Sequence, residues 1–438
     1  MTDLRDTISD ARSETTFEDF KPAYTRLQAE TEANRCLYCE DAPCIKACPT
    51  SIDIPTFIRK IATGNVRGSA KTIFDSNILG MSCARVCPVE VLCVGDCVFN
   101  EMDAPPIQIG KLQRYATDVA YAEGWTYYEA GADTGKSVGI VGAGPAALAA
   151  AHELRRLGHA VTLYEKRAVV GGLNSTGVAP YKMKLDASIQ EAAWVLSIGG
   201  IEVKTGVEVG KDVSFAELEK KHDALILCFG LGPDSVLDVP GKDLPGVVGA
   251  VDYIERFKLG QVDLKGVKNV AVVGGGNTAL DAVRELRGLG CESVTMVYRG
   301  TEDKMSGYAH EWKAGKVEGV RAAWQTQPVA YEGSGKVERI KCVKLDDAKK
   351  PIAGSEHTID ADLVLVAIGQ GKLGELVSGL EGVKVEWGVI QVDAHGATGR
   401  PGVYAAGDCA NGGTEVVYAA AEGKRCAHAI DAYVKGAK

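Results

Sequence analysis

The sequence has no apolar run long enough to cross a bilayer. Its longest uncharged stretch, Ser137 to Ala151, is 15 residues with three glycines and a proline, short of the ~20 that span a hydrocarbon core. An apolar core of the kind an export signal needs is also missing near the N-terminus. The first twenty residues carry six acids, Asp3, Asp6, Asp10, Glu14, Glu18 and Asp19, so a cytoplasmic protein is expected. There is no basic excess: 49 Lys and Arg stand against 58 Asp and Glu, a formal net charge of −9. A wide electropositive surface is therefore absent, and nucleic acid is not the expected partner. Histidine is scarce at seven residues, and neither His310 nor the other six stands in a metal or nucleophile constellation. What remains is an ordinary folded chain of 438 residues, 46% apolar and 24% charged, long enough for about two to four domains.

Thirteen cysteines are unevenly spread, eight of them between Cys36 and Cys97. Cys228 and Cys342 lie inside apolar strand-like runs, where a free cysteine behaves as a small buried hydrophobe. The eight form two quartets, Cys36-x2-Cys39-x4-Cys44-x3-Cys48-Pro49 and Cys83-x3-Cys87-Pro88-x4-Cys93-x3-Cys97. A closing Cys-Pro after a tight three-cysteine run is the bacterial ferredoxin arrangement, in which the fourth cysteine serves the other cluster; here the middle gap is four residues where that pattern has two. Two [4Fe–4S] clusters suit the quartets best. Two structural zinc sites in a non-catalytic interaction protein are the alternative that spacing leaves open.

Phe57-Ile-Arg-Lys-Ile and Ser69-Ala-Lys-Thr-Ile-Phe carry helical apolar spacing between the cysteine groups, so residues 1–135 read as a helical cluster-holding domain. From Ser137 the pattern becomes strand, glycine turn, helix, strand, and it occurs twice. Val138-Gly-Ile-Val-Gly-Ala-Gly-Pro-Ala-Ala-Leu-Ala recurs as Val270-Ala-Val-Val-Gly-Gly-Gly-Asn-Thr-Ala-Leu-Asp, and both helices end at Leu-Gly, Leu157-Gly158 and Leu289-Gly290. This repetition implies two Rossmann-type nucleotide units, each laying a pyrophosphate against a helix N-terminus. Glu165 ends the second strand of the first unit, where a carboxylate accepts ribose hydroxyls, so that unit suits FAD or NAD. At the equivalent place the second unit has Tyr298 and then Arg299, which favours a 2′-phosphate, but Gly300-Thr-Glu-Asp adds two acids and no second base. NADH is expected over NADPH. Gly399-Arg-Pro-Gly-Val-Tyr-Ala-Ala-Gly-Asp408 then delivers a carboxylate to ribitol hydroxyls ahead of a helix starting near Thr414, whose N-terminus faces the flavin N1 and O2 side. Because this piece follows the second unit, the flavin domain is expected to be discontinuous. The boundaries expected are 136–248 with 372–438 for FAD and 249–371 for NAD(P)H.

The segment Arg35-Cys-Leu-Tyr-Cys-Glu-Asp-Ala-Pro-Cys-Ile-Lys-Ala-Cys-Pro-Thr, with Asn77-Ile-Leu-Gly-Met-Ser-Cys-Ala-Arg-Val-Cys-Pro, Leu92-Cys-Val-Gly-Asp-Cys and Gly171-Gly-Leu, resembles the N-terminal half of dihydropyrimidine dehydrogenase over nearly the whole chain. It is similar, more loosely, to the glutamate synthase small subunit. The resemblance implies one cluster on Cys36, Cys39, Cys44 and Cys97. It implies a second on Cys48, Cys87, Cys93 and Gln113, with Cys83 a spare thiol unless it displaces Gln113. Glutamate synthases have an acid where Gln113 stands. The candidate FAD residues are Gly142, Gly144, Pro145, Ala146, Glu165, Lys166, Gly172, Leu173, Lys182, Gly407, Asp408, Thr414 and Val416. Those for NAD(P)H are Gly274, Gly275, Gly276, Asn277, Thr278, Arg299, Ala367, Ile368 and Gly369. Two basic residues of the family that grip the NADPH phosphate are replaced here by Gly300 and Ser306, which again favours NADH.

Single-chain members continue into an FMN-binding barrel that reduces the pyrimidine, whereas this sequence reaches Lys438 soon after the flavin helix. The resemblance therefore implies the flavin- and NADH-binding subunit of a two-subunit bacterial enzyme, working as a hetero-oligomer with an FMN barrel partner that reduces uracil or thymine. A glutamate synthase small subunit, or another NAD(P)H and ferredoxin-type oxidoreductase subunit, is the rival. Hydride passes directly between cofactors, so no side chain is assigned as general acid or base. The expected fold class is an α-helical iron–sulfur domain followed by two Rossmann-like α/β domains, the NAD domain inserted in the FAD domain.

Overall fold

The computed structural model describes Arg12, Glu14 and residues 17–436; Asp3, Asp6 and Asp10 of the acidic N-terminal stretch lie outside the described residues. The chain begins with helices α1 (Arg26–Ala33), α2 (Pro43–Lys46), α3 (Ile54–Ala62), α4 (Val66–Ser76), α5 (Gly80–Val86) and α6 (Ile109–Ala122). Local chemistry sets their starts. Thr25 and Gln28 form a capping box at α1, Asp53 accepts from the Thr56 N–H at α3, and Asn65 accepts from the Gly68 N–H at α4, each cap contributing ~1 kcal/mol. Phe57, Ile58 and Ile61 of α3, Ile73 and Phe74 of α4, and Leu112 and Ala116 of α6 are buried together. The cysteines sit on the short helices and turns between these longer ones.

The first α/β unit follows: β1 (Ser137–Val141), α7 (Pro145–Arg156), β2 (Ala160–Glu165), α8 (Leu173–Thr176), α9 (Leu185–Leu196), β3 (Ile201–Thr205), α10 (Phe215–Lys221) and β4 (Ala224–Leu227). The second comprises β5 (Val247–Gly249), α11 (Ala250–Lys258), β6 (Asn269–Val273), α12 (Asn277–Gly288), β7 (Ser293–Val297), α13 (Ala309–Val317), β8 (Arg321–Ala323), a three-stranded antiparallel sheet β9 (Thr326–Glu332), β10 (Arg339–Lys344) and β11 (His357–Asp360), and then β12 (Leu363–Val366). The chain returns through β13 (Val385–Glu386), β14 (Val389–Ile390), β15 (Val403–Ala405), α14 (Asp408–Asn411) and α15 (Val416–Val434).

The two large sheets are parallel throughout and have equivalent orders, β15-β4-β1-β2-β3 and β5-β12-β6-β7-β8. The strand before each glycine turn, β1 or β6, is central, and the order reverses beside it, which opens a crevice at the strand C-termini. β15 completes the first sheet from beyond the second, so the NAD-type unit is inserted in the FAD-type unit. The two crossings lie side by side: Gly232 N–H donates to Gly371 O (2.7 Å), Gly371 N–H to Pro233 O (2.8 Å) and Ser235 N–H to Gly369 O (2.8 Å). β5 belongs to the second sheet, and the boundary expected at 248/249 runs through this strand.

The helical domain is joined to the first α/β unit along α9. Phe74, Tyr121 and Trp194 pack ring on ring, with Phe74 and Trp194 centroids 4.6 Å apart. Beside them the buried Glu191 accepts from the Met81 N–H (3.1 Å), the Ser82 N–H (3.0 Å) and the Ser82 hydroxyl, and so caps α5 from another domain. Burial pushes its carboxyl up to about 7, and the hydrogen bonds from Ser82 offset only part of that rise. Because the folded-state value is raised, the stability this group contributes is full below the ordinary glutamate range and is lost as pH rises through about 7. Glu191→Gln, which keeps an acceptor oxygen without the charge, is expected to flatten the fall in thermal midpoint between pH 5 and 8. Glu191→Ala, which strands two buried N–H groups, should cost about 2–4 kcal/mol at every pH. Thermal unfolding across that range checks both.

Candidate functional site

The structure brings the two cysteine sets to two neighbouring places. Cys36, Cys39, Cys44 and Cys97 line one small pocket, partly open to solvent, walled by Ala42, Pro43, Ile54, Ile58 and Ile107. Burial pushes the Cys44 thiol up to about 12, and the nearness of Cys36, Cys97 and Cys39 adds to the rise. Cys36 is raised in the same way, by burial first and then by Cys39 and Cys97. Four sulfurs in an apolar wall, each disfavouring its neighbour's thiolate, call for cationic charge at their centre.

In the second set Cys87 is raised by a hydrogen bond with Cys83, then by burial and by Cys83, Cys93 and Cys48; Cys93 is raised by burial, then by Cys48 and Cys44. Cys44 and Cys93 therefore link the sets. Zinc bonded at ~2.3 Å would draw four sulfurs to one point. Among the described residues no group of three or more His, Cys, Asp or Glu side chains is arranged to hold a metal ion, while the first set encloses space. By donor chemistry, four cysteine sulfurs in one place suit an iron–sulfur cluster as well as zinc. Cys83 lies within the second set, its sulfur accepting from Asn77 Nδ2 at 3.1 Å. Gln113, buried on α6, donates its Nε2 to Gly80 O (2.7 Å) on the neighbouring helix.

The first glycine turn is held by close backbone approaches. Gly142 has φ +107° and a Cβ there would lie 2.3 Å from Cys228 O; Gly172 has φ +54° and a Cβ there would lie 2.7 Å from Gly144 Cα. No side chain caps α7, which opens on Gly144 and Pro145, so its N-terminus is free to meet an anion. Glu165 is buried at the end of β2 and accepts from Ala143 N–H (2.9 Å) and Arg167 N–H (2.8 Å), one bond per oxygen, leaving lone pairs for hydroxyls. Leu173 opens α8 directly after Gly172. Gly407 approaches Ala146 on the other side, where a Cβ would lie 3.1 Å from the Ala146 Cβ. Asp408 accepts from the Thr414 N–H (3.3 Å). Its carboxyl is raised by burial, partly offset by that hydrogen bond, with Glu422 and Glu415 raising it further. The long helix begins at Val416, after Glu415 and close to Thr414.

The two candidate lysines both stand in ion pairs. The Lys182 ammonium lies 2.6 Å from Asp281 and 2.6 Å from Glu311, both on the inserted unit, because at this buried domain boundary an uncompensated charge of either sign is costly. These pairs tie Lys182 across the domain interface. Lys166 is exposed and pairs with Glu208 at 3.3 Å.

The second turn repeats the first. Gly274, φ +144°, would place a Cβ 2.2 Å from Ala367 O, as Gly142 would against Cys228 O, and α12 is likewise uncapped at Gly276 and Asn277, with Thr278 next. Tyr298 lies over Gly275, its ring 2.5 Å from where a Cβ would be, and Arg299 is exposed beyond it. Ile368 is exposed, and Gly369 has φ +109° at the crossing. Sequence reasoning missed Glu422, which accepts from Gly407 N–H (2.7 Å) and Asn411 Nδ2 (3.0 Å) and holds the Gly407-Asp408 turn. An acid on a helix 15 residues away carries no local signal of that role.

Residues 12–125 match the family described as dihydropyrimidine dehydrogenase domain II, 4Fe-4S cluster, and residues 136–423 match pyridine nucleotide-disulphide oxidoreductase. The chain is 37% identical to the NAD-dependent dihydropyrimidine dehydrogenase subunit PreT of Escherichia coli (strain K12), over 96% of this chain and 98% of that one. It is 32% identical to the glutamate synthase [NADPH] small chain of Azospirillum brasilense, over 95% and 92%. Among solved structures, T. acidophilum thioredoxin reductase shares the fold with a TM-score of 0.54 at 23% identity, over 69% of this chain and 100% of that one. Iron–sulfur, flavin and nicotinamide chemistry thus meet in one oxidoreductase, and the chain belongs to the pyridine nucleotide-disulphide oxidoreductase family, in the branch that carries an N-terminal 4Fe-4S domain of dihydropyrimidine dehydrogenase type.

Proposed function

We propose that this chain is the electron-input subunit of a two-subunit dihydropyrimidine dehydrogenase, oxidising NADH at the inserted unit, holding FAD in the discontinuous one and two [4Fe–4S] clusters in the helical domain. Flavin and clusters together supply the conversion of a hydride donor into one-electron delivery. The protein contributes alignment and a dry path. The observation that carries the reading is the serial placement of the cysteine sets. The second lies on and around α5, whose N-terminus Glu191 of α9 holds against the first α/β unit, and the first adjoins it through Cys44 and Cys93 and lines a pocket partly open to solvent. Electrons would leave there to a partner with an FMN barrel that reduces uracil or thymine.

The FAD residues proposed are those of the first cradle, Gly142, Gly144, Pro145, Ala146, Glu165, Gly172, Leu173, Gly407, Asp408, Thr414 and Val416. The nicotinamide nucleotide is assigned to Gly274–Thr278, Arg299 and Ala367–Gly369. Preference for NADH draws support from the surroundings of Arg299: Gly300 is buried, Glu302 and Asp303 follow, and Ser306 turns its hydroxyl to Gly275 O (3.4 Å).

Anaerobically reconstituted protein is expected to hold about eight iron and eight labile sulfide per chain, and Cys97→Ser about half of that; zinc without sulfide would refute the reading. Gly172→Ala, strained by its positive φ and its approach to Gly144, should purify with little or no flavin, which the visible spectrum reports. In anaerobic stopped flow NADH should bleach the flavin at lower concentration than NADPH. Co-purification with an FMN barrel subunit and a uracil assay test the partner, and capture of a glutamate synthase large subunit would favour the rival.

A further inference from the structure

One segment spans the gap between the two nucleotide cradles. Gly307 N–H donates to Gly275 O (2.9 Å) and Tyr308 N–H to Asn277 Oδ1 (3.0 Å), so the backbone here is bonded to the second glycine turn itself. Gly307 permits this approach, since a Cβ there would lie 2.6 Å from Leu280 Cδ1. From that anchor Tyr308 crosses the domain boundary, and its hydroxyl donates to Glu415, the residue immediately before α15 and next to Thr414. Two residues further on, the His310 ring stacks on that of Tyr308, centroids 5.6 Å apart at 18°. Its Nε2 lies 3.4 Å from Glu90, between Cys87 and Cys93.

We propose that Tyr308, through its hydrogen bond to Glu415, is a positioning residue that sets the approach of the nicotinamide-side turn to the flavin-side helix. The inference rests on the assignment of the two cradles made above. A nicotinamide whose pyrophosphate lies on Gly274–Asn277 must extend along Tyr308 to reach a flavin at Thr414–Val416, because the tyrosine touches both ends of that line. The bond is a neutral donor on a carboxylate: burial, and then Glu415 itself, raise the phenol above its ordinary range and keep it protonated. Such charge-assisted bonds are roughly twice as strong as neutral ones. Other pairs fasten the inserted unit elsewhere, Lys182 with Asp281 and Glu311, and Arg167 with Glu255 (2.8 Å). Losing the Tyr308 bond therefore leaves the domains docked and alters only the local approach. Transfer between two bound rings depends steeply on that approach, with 1 Å of misplacement costing up to ~100-fold.

The test uses the full chain with flavin and clusters loaded, as wild type, Tyr308→Phe, Glu415→Ala, Glu415→Gln and the double variant Tyr308→Phe/Glu415→Ala. Limiting flavin reduction by NADH is measured in anaerobic stopped flow, NAD+ affinity by calorimetry, and amide exchange over residues 306–317 by mass spectrometry. Tyr308→Phe and Glu415→Ala should each slow the limiting rate roughly 10- to 100-fold with NAD+ affinity unchanged and exchange at 306–310 accelerated. The double variant should be no slower than either single one, since all three lose the same bond. Glu415→Gln, whose amide oxygen still accepts, should retain most of the rate. An unaltered limiting rate in Tyr308→Phe, an additive double variant, or tighter NAD+ binding without a rate change would overturn the positioning role. A wild-type flavin that neither NADH nor NADPH reduces would overturn the functional reading and this inference with it.

Discussion

The contact on which the cradle depends is the crossing of α7 and α15 at Gly423, where a Cβ would lie 2.1 Å from Ala146 O. Only a residue without a side chain lets the two helices approach so closely. That approach brings Gly407 onto Ala146 from one side while Gly172 meets Gly144 from the other. Three stretches of backbone far apart in sequence thus converge on the uncapped start of one helix. The helix N-terminus supplies partial positive charge and the glycines supply access. A tight backbone cradle of this kind recognises a pyrophosphate by shape and by N–H groups, with little help from side chains.

Around it the three parts of the molecule are tied by buried polar groups as well as by apolar packing. Glu191 joins the cysteine domain to the first α/β unit. Lys258, fully buried on α11, donates to Asn174 O (3.1 Å), Val178 O (2.9 Å) and Met183 O (2.9 Å), joining the inserted unit to α8 and the loop after it. Burial lowers that ammonium to about 8, with Glu14 and Glu285 acting to raise it. Polar ties of this sort are costly to break and directional, so they define one docking geometry where an apolar interface would tolerate sliding.

The cysteine sets illustrate the same economy. The thiols of Cys36, Cys44 and Cys93 are pushed up by burial and by neighbouring cysteines, and that of Cys87 by Cys83 and burial, a state unfavourable for bare thiolates and relieved by cationic charge.

The cysteine spacing, the repeated strand–glycine–helix unit and the return of an apolar strand before Gly407-Asp408 were legible in the amino-acid order, because each is a local pattern whose chemistry needs residues at set intervals. Insertion of one nucleotide unit in the other followed from the order of those patterns. The partners of Lys182, the membership of β5 in the second sheet and the grip of Glu422 on Gly407 were not legible. Nor was the reach of Tyr308 to Glu415, 107 residues away. Local sequence sets which backbone conformations and ligand types are available. Which buried charge meets which, and which turn faces which helix, depends on how the domains dock, and that is decided by tertiary packing, where a group's partner is whatever the fold leaves within hydrogen-bond reach.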